Sequence, residues 1–354
     1  MDNASKEFLT DLLGQPSPSG FEQRVRKVVR ERMSRYADRV HVDVHGNTWG
    51  VRNEEGRPRV MLAGHCDEIG LMVTYINDQG FLAVAAVGGV NVTLLQGQRV
   101  RVHARRGDVP GVIAARPIHD IPRDQRSKSE TKIENLWLDI GARNRRDAER
   151  AVAVGDVATV DVGYTDLRNG LAAARAFDDR IGAFVVCETL RLLQGKDLAS
   201  AVFAVSTVQE EVGIRGAHTS AYAVNPDVGI AVDVGFATDY PDTNKKKSGD
   251  VKLGGGPVLH RGANINPVLE ELLEKAARRA RIRVQMQASP IATGTDANAM
   301  QLARGGKAAA LVSIPTRYMH SPSEVLCPRD AEQAARLLAR FIQDLKPGQA
   351  FVAP

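Results

Sequence analysis

Cysteine is nearly missing from this chain of 354 residues: Cys66, Cys187 and Cys327 are odd in number and far apart. That scarcity argues against a disulfide framework. Aromatic residues are few as well, 5% of the chain, and no aromatic-rich stretch offers a platform for stacking sugars. The arginines behind most of the +5 net charge are scattered, and Lys245-Lys246-Lys247 is the one tight basic cluster. The positive balance therefore reads as solvated surface, and nucleic acid is not expected as a partner. No apolar run approaches a membrane span, and Met1 to Lys6 lacks a basic start followed by an apolar segment. A cytoplasmic protein without membrane contact is expected.

The length supports two domains, or one with a substantial insertion. Residues 5–14 and 20–36 read as helices separated by Pro16-Ser17-Pro18-Ser19-Gly20, with Phe21, Val25, Val28, Val29 and Met33 on one face of the second. Val40 to Val44 alternates, His45-Gly46-Asn47 turns it, and Thr48 to Val51 returns, which predicts a hairpin. From about 69 to 161 the texture changes to short β-like runs punctuated by glycine, with one helical stretch, 143–152. Close spacing of such runs predicts a small all-β barrel or sandwich. Within it, Asp120 to Glu134 is strongly polar and fits a flexible loop or a lid over a neighbouring site. After residue 162, strands and helices alternate again, the pattern of a layered α/β domain.

Chemistry gathers at the ends of the apolar runs. Val60 to Gly64 reads as a buried strand followed at once by His65-Cys66-Asp67-Glu68; alternation sends His65 and Asp67 to one side and Cys66 into the core. Ala201 to Val205 leads to Gln209-Glu210-Glu211, Val228 to Val232 ends at Asp233, and Ala308 to Ile314 is followed by His320. Asp178-Asp179 stands where a helix should begin, with Ile181, Phe184, Val185 and Leu192 on its apolar face. Taken singly, these residues have plain structural readings as caps, turn residues or surface groups. Together they converge, because the carboxyl ends of parallel strands form the crevice where open α/β sheets bind ligands. Adjacent carboxylates at buried strand ends repel and are costly to desolvate unless a cation or proton compensates. With neutral imidazoles, the three negative charges of Asp178, Glu211 and Asp233 suit two divalent ions and a hydroxide. Such a thiolate-free set accommodates zinc, cobalt or manganese.

His65-Cys66-Asp67-Glu68, Phe177-Asp178-Asp179-Arg180, Gln209-Glu210-Glu211-Val212-Gly213, Asp233-Val234-Gly235 and His320-Ser321-Pro322 resemble the signature blocks of the tetrahedral, glutamyl-aminopeptidase-like metallopeptidases, also labelled cellulase or endoglucanase M. Phe236 to Asp239, Gly254 to Asn266 and Gly294-Thr295-Asp296-Ala297 match as well, so the resemblance runs nearly end to end. It implies a layered mixed sheet with helices on both faces, of the zinc-aminopeptidase/phosphorylase-like kind, formed by residues 1–68 and 162–354. It further implies that residues 69–161 mediate dimerisation and assembly into tetrahedral dodecamers. Carried over residue by residue, Asp178 would bridge two metal ions, zinc or cobalt. Glu211 and His320 would complete one site, and His65 and Asp233 the other. Glu210 would be the general base, and Asp67 would accept the remaining N–H of His65. Short peptides are the implied substrate. Two other readings compete: a glycoside hydrolase using Glu210 with a second carboxylate, and a catalytically silent assembly scaffold.

Overall fold

The computed structural model describes residues 1–120 and 132–353. Its spine is an eleven-stranded mixed sheet whose centre is parallel, with Ala201–Thr207, Arg59–His65, Val228–Phe236 and Ala308–Arg317 side by side. These four segments are almost wholly buried, which is why they read as apolar runs with little alternation. The hairpin Arg39–Val42 and Thr48–Arg52 extends one edge in antiparallel fashion. Register places Thr207 opposite His65 and Ser313 opposite Asp233. The carboxyl ends of the parallel strands therefore line up, as the sequence predicts.

Two groups of helices cover the sheet. Phe177–Leu192 packs on Arg59–His65 and Val228–Phe236 and contacts Asn3–Gly14 and Pro328–Asp344, while Arg215–Val224 and Asp296–Gln301 pack together elsewhere on the sheet. Every residue from Phe177 to Leu190 is buried, so this helix is enclosed between sheet and outer helices and needs no polar face. It lies unusually close to the strand beneath it. A β-carbon on Gly64 would stand 2.4 Å from the carbonyl carbon of Gly182, and one on Gly182 would meet Val232 O at 2.3 Å. Glycine is required at both positions because backbone approaches backbone.

Between these halves, six strands close into a barrel in the order Gly70–Ile76, Leu82–Val87, Leu136–Asp139, Gly107–Ala115, Arg99–Ala104, Val157–Val160. Arg99–Ala104 alternates exposed and buried residues, the mark of a strand with one face on a core. That core, including Leu82, Val102, Ile113 and Leu138, is separate from the core of the large sheet. The helix expected at 143–152 is Arg145–Ala151. Of the polar segment 120–134, residues 121–131 lie outside the described residues, and Ile133–Asn135 forms a short 3-10 turn. No helix among the described residues is long and apolar enough to cross a membrane.

Two local expectations change. Val228–Phe236 continues three residues beyond Asp233 because the parallel ladder with Ala308–Arg317 does, so Asp233 sits within the strand and not at its end. Asp178 and Asp179 precede the regular helix with non-helical ψ values of 107° and 39°.

Candidate metal centre

Six residues from five separate stretches of sequence meet at the carboxyl edge of the parallel strands. His65 is the last residue of its strand, Glu210 and Glu211 follow Ala201–Thr207, and His320 follows Ala308–Arg317 with a left-handed φ of 60°. Asp178 enters from the helix that the glycine contact holds against the sheet. Its Oδ1 lies 3.2 Å from His65 Nε2 and its Oδ2 lies 3.2 Å from His320 Nε2. Glu211 Oε2 is 3.5 Å from His320 Nε2. Donor atoms of His65, Asp178 and Asp233 lie within 4.8 Å of one another, and so do those of Asp178, Glu211 and His320. The two triads share only Asp178. Glu210, whose Oε2 is 3.8 Å from His65 Nε2, belongs to neither.

The electrostatics show what this crowd lacks. Burial opposes ionisation of Asp178, but hydrogen bonds from His320 and His65 outweigh it and take its pKa down to about 2. Burial, with the charge of Asp178, raises Glu211 to about 7, and burial raises Glu210 to about 8. Asp233 is driven well above the usual carboxylate range by burial and by the charges of Asp178 and Glu210. Most of these acids would thus hold protons near neutral pH unless something positive joined them. The donor set, two imidazoles and three carboxylates with one shared, fits divalent cations.

Both imidazoles are presented the same way. His65 Nδ1 donates to the main-chain carbonyl of Asp67 at 3.2 Å, with Asp67 Oδ1 at 3.4 Å, and His320 Nδ1 donates to Gly89 O at 3.0 Å. Each bond fixes the tautomer that leaves the Nε2 lone pair free. The Asp67 carboxylate is fully buried and accepts from the main-chain N–H of Glu210 at 3.0 Å, the N–H of Glu211 at 3.2 Å and the hydroxyl of Ser19 at 2.6 Å. Asp67 therefore holds the whole Glu210-Glu211 turn as well as His65.

Acidic residues beside the cluster have definite contacts of their own. Glu324 accepts from the N–H of Asp178 at 2.9 Å and of His320 at 3.0 Å, so one carboxylate pins both residues. Asp179 accepts from the His65 N–H at 3.1 Å and the Gly182 N–H at 3.0 Å. Glu68 pairs with Arg175 and with the fully buried Arg180, which also donates to the carbonyls of Leu12 and Leu13. Sequence reasoning missed Gly89 altogether. The only local trace is the Gly88-Gly89 pair after Leu82–Val87, where a β-carbon on Gly89 would fall 2.9 Å from His320 Nδ1. The imidazoles of His103, His119 and His218 are outside the triads.

A cavity of about 520 Å³ opens beside this cluster and runs to the strands Val258–Gly262 and Gln285–Ser289. Its size suits a residue or short segment of peptide.

The sequence profile of a family described as M42 glutamyl aminopeptidase matches residues 46–337. A lysyl aminopeptidase of Pyrococcus furiosus is 36% identical, over 96% of this chain and 97% of its own. Among solved structures, a TET aminopeptidase from a marine sediment archaeon of the Thaumarchaeota superposes with a TM-score of 0.93 at 37% identity, covering 98% of this chain and 97% of that one. A Pyrococcus horikoshii TET1 peptidase, which can assemble into a tetrahedron or a large octahedral shell, superposes with a TM-score of 0.86 at 31% identity, covering 96% and 100%.

Proposed function

Because the chain belongs to the M42 glutamyl aminopeptidase family, a metal-dependent aminopeptidase family, we propose that it removes N-terminal residues from short peptides with two divalent ions, zinc or cobalt. The observation that carries this reading is the shared carboxylate: each Asp178 oxygen faces a different imidazole at 3.2 Å, and a further carboxylate completes each triad. His65, Asp178 and Asp233 would hold one ion, and Asp178, Glu211 and His320 the other. When bound, the ions supply Lewis acidity that makes water nucleophilic near neutral pH and polarises the scissile carbonyl.

The protein's own groups do the rest. Glu210 is next to both triads but in neither, and its main-chain N–H is tied to Asp67. A carboxylate so placed takes a proton from the attacking water and delivers it to the leaving amine nitrogen. Asp67 and Glu324 keep the ligand-bearing turns in place, and the cavity seats the N-terminal residue. The aminopeptidase relatives and the mixed imidazole and carboxylate donor set favour this reading over a glycoside hydrolase or a silent scaffold.

Residues 69–161 would mediate self-association, first into dimers and then into a tetrahedral dodecamer, a reading supported by the tetrahedral assembly of the Pyrococcus horikoshii relative. Three unpaired, buried cysteines suit a cytoplasmic location. Chelation tests the activity: hydrolysis of aminoacyl anilides should cease on thorough metal removal and return with zinc or cobalt. Glu210→Gln should lower kcat by roughly 10²-fold or more while metal analysis finds the ions retained. Hydrolysis that survives chelation would refute the reading.

A further inference from the structure

We infer that the cavity beside the metal centre receives the side chain of the substrate's N-terminal residue and selects an uncharged one, a conclusion that rests on the aminopeptidase reading above. The acids that line the cavity are Asp178, Glu210, Glu211 and Asp233, and all belong to the catalytic cluster. Two of the three lining imidazoles, His65 and His320, belong there too. Among the described residues, no lysine or arginine lines the cavity. That leaves His260, among the described residues, as the one titratable group on the wall away from the catalytic cluster.

His260 is set to be neutral. It lies on the strand Val258–Gly262, and its Nδ1 is 3.0 Å from Ser289 Oγ while its Nε2 is 2.9 Å from Ser313 Oγ. A neutral imidazole has one N–H and one lone pair, and two hydroxyls satisfy both. Among the described residues no carboxylate pairs with the ring, and burial pushes its pKa down to about 4, so it carries no charge at neutral pH. The remaining wall is uncharged: Ile214, Leu311 and Met319 are apolar, and Gln287 and Thr293 are polar.

The nearby basic cluster does not change this. Lys245 is ion-paired with Asp250 at 2.7 Å, and none of Lys245, Lys246 and Lys247 lines the cavity. Asp296, whose Oδ2 accepts from Thr207 at 2.6 Å, is buried and does not line it either. Among the described residues, a glutamyl carboxylate or lysyl ammonium reaching the wall away from the catalytic cluster would shed water and find no opposite charge there, whereas a leucyl or methionyl side chain would meet apolar contacts.

The test is a panel of leucyl, methionyl, glutamyl and lysyl p-nitroanilides on the metal-loaded, full-length enzyme. We expect kcat/KM for the leucyl and methionyl compounds to exceed both charged ones by at least about tenfold. Gln287→Arg, which places a cation on the wall, should raise the glutamyl-to-leucyl ratio by about tenfold or more. As a readout apart from turnover, calorimetry should show free L-leucine binding more tightly than L-glutamate or L-lysine. A preference for either charged anilide, or equal rates for all four, overturns the selection while leaving the aminopeptidase intact. Failure to cleave any anilide after metal loading overturns the aminopeptidase reading and this inference with it.

Discussion

A single carboxylate, Asp67, illustrates how much of the site depends on buried groups outside both triads. It accepts from the N–H of Glu210, the N–H of Glu211 and the hydroxyl of Ser19. Asp67→Asn would turn one acceptor into an amide donor facing these donors. Its expected outcome is a loss of roughly 10- to 100-fold in metal affinity or kcat, measured by metal titration and steady-state kinetics, with circular dichroism unchanged. His260 yields a pH prediction. Its pKa is about 4 in the folded protein against an ordinary 6.5, so the unfolded chain takes up the proton first. Its contribution to stability is therefore full above about pH 6.5 and is lost as pH falls toward 4, by up to about 3 kcal/mol. Denaturant unfolding at both pH values should show a smaller drop for His260→Gln than for the wild type; equal drops would refute the assignment.

Elements meet where glycines let them. Gly64 and Gly182 allow Phe177–Leu192 to rest on Arg59–His65, and the same contact brings Asp178 to His65. Gly64→Ala must push helix from strand, since its β-carbon would lie 2.4 Å from Gly182 C and 2.6 Å from Ala183 N. We expect a loss of about 1–3 kcal/mol, read as a lower thermal midpoint, together with weakened metal binding. At this scale much was legible beforehand. All six β-like runs expected between 69 and 161, Leu71 to Ile76, Phe81 to Val87, Arg99 to His103, Val109 to Ala114, Asn135 to Ile140 and Val157 to Val162, are strands to within about two residues, because half-buried strands alternate and glycines end them. The length of Val228–Phe236 was not, since pairing with a strand some eighty residues away sustains it.

For the whole molecule, two separate cores imply two units, one around the large sheet and one inside the barrel. They are joined functionally, because the barrel side supplies Gly89 O to His320. Light scattering of the intact protein should give the mass of a dodecamer. A chain in which a short linker replaces residues 69–161 should be far smaller in solution and have impaired activity through loss of the His320 contact. Retention of the full assembly by that variant would refute the assignment of self-association to this segment.

The sequence alone determined the strand-end positions of His65, Glu210, Glu211 and His320 and the carboxylate of Asp178 at a helix start. Side-chain period and residue type are local properties, and chemistry at the ends of buried strands has few places to go. Tertiary structure decided which of these residues pair with which imidazole, that Glu324 pins two of them, and that a glycine from the barrel orients His320. It also decided that the cavity wall away from the catalytic cluster is uncharged, because His260, Ser289 and Ser313 come from three separate strands. Such contacts depend on close approach between distant segments, set by packing and register that no local pattern encodes.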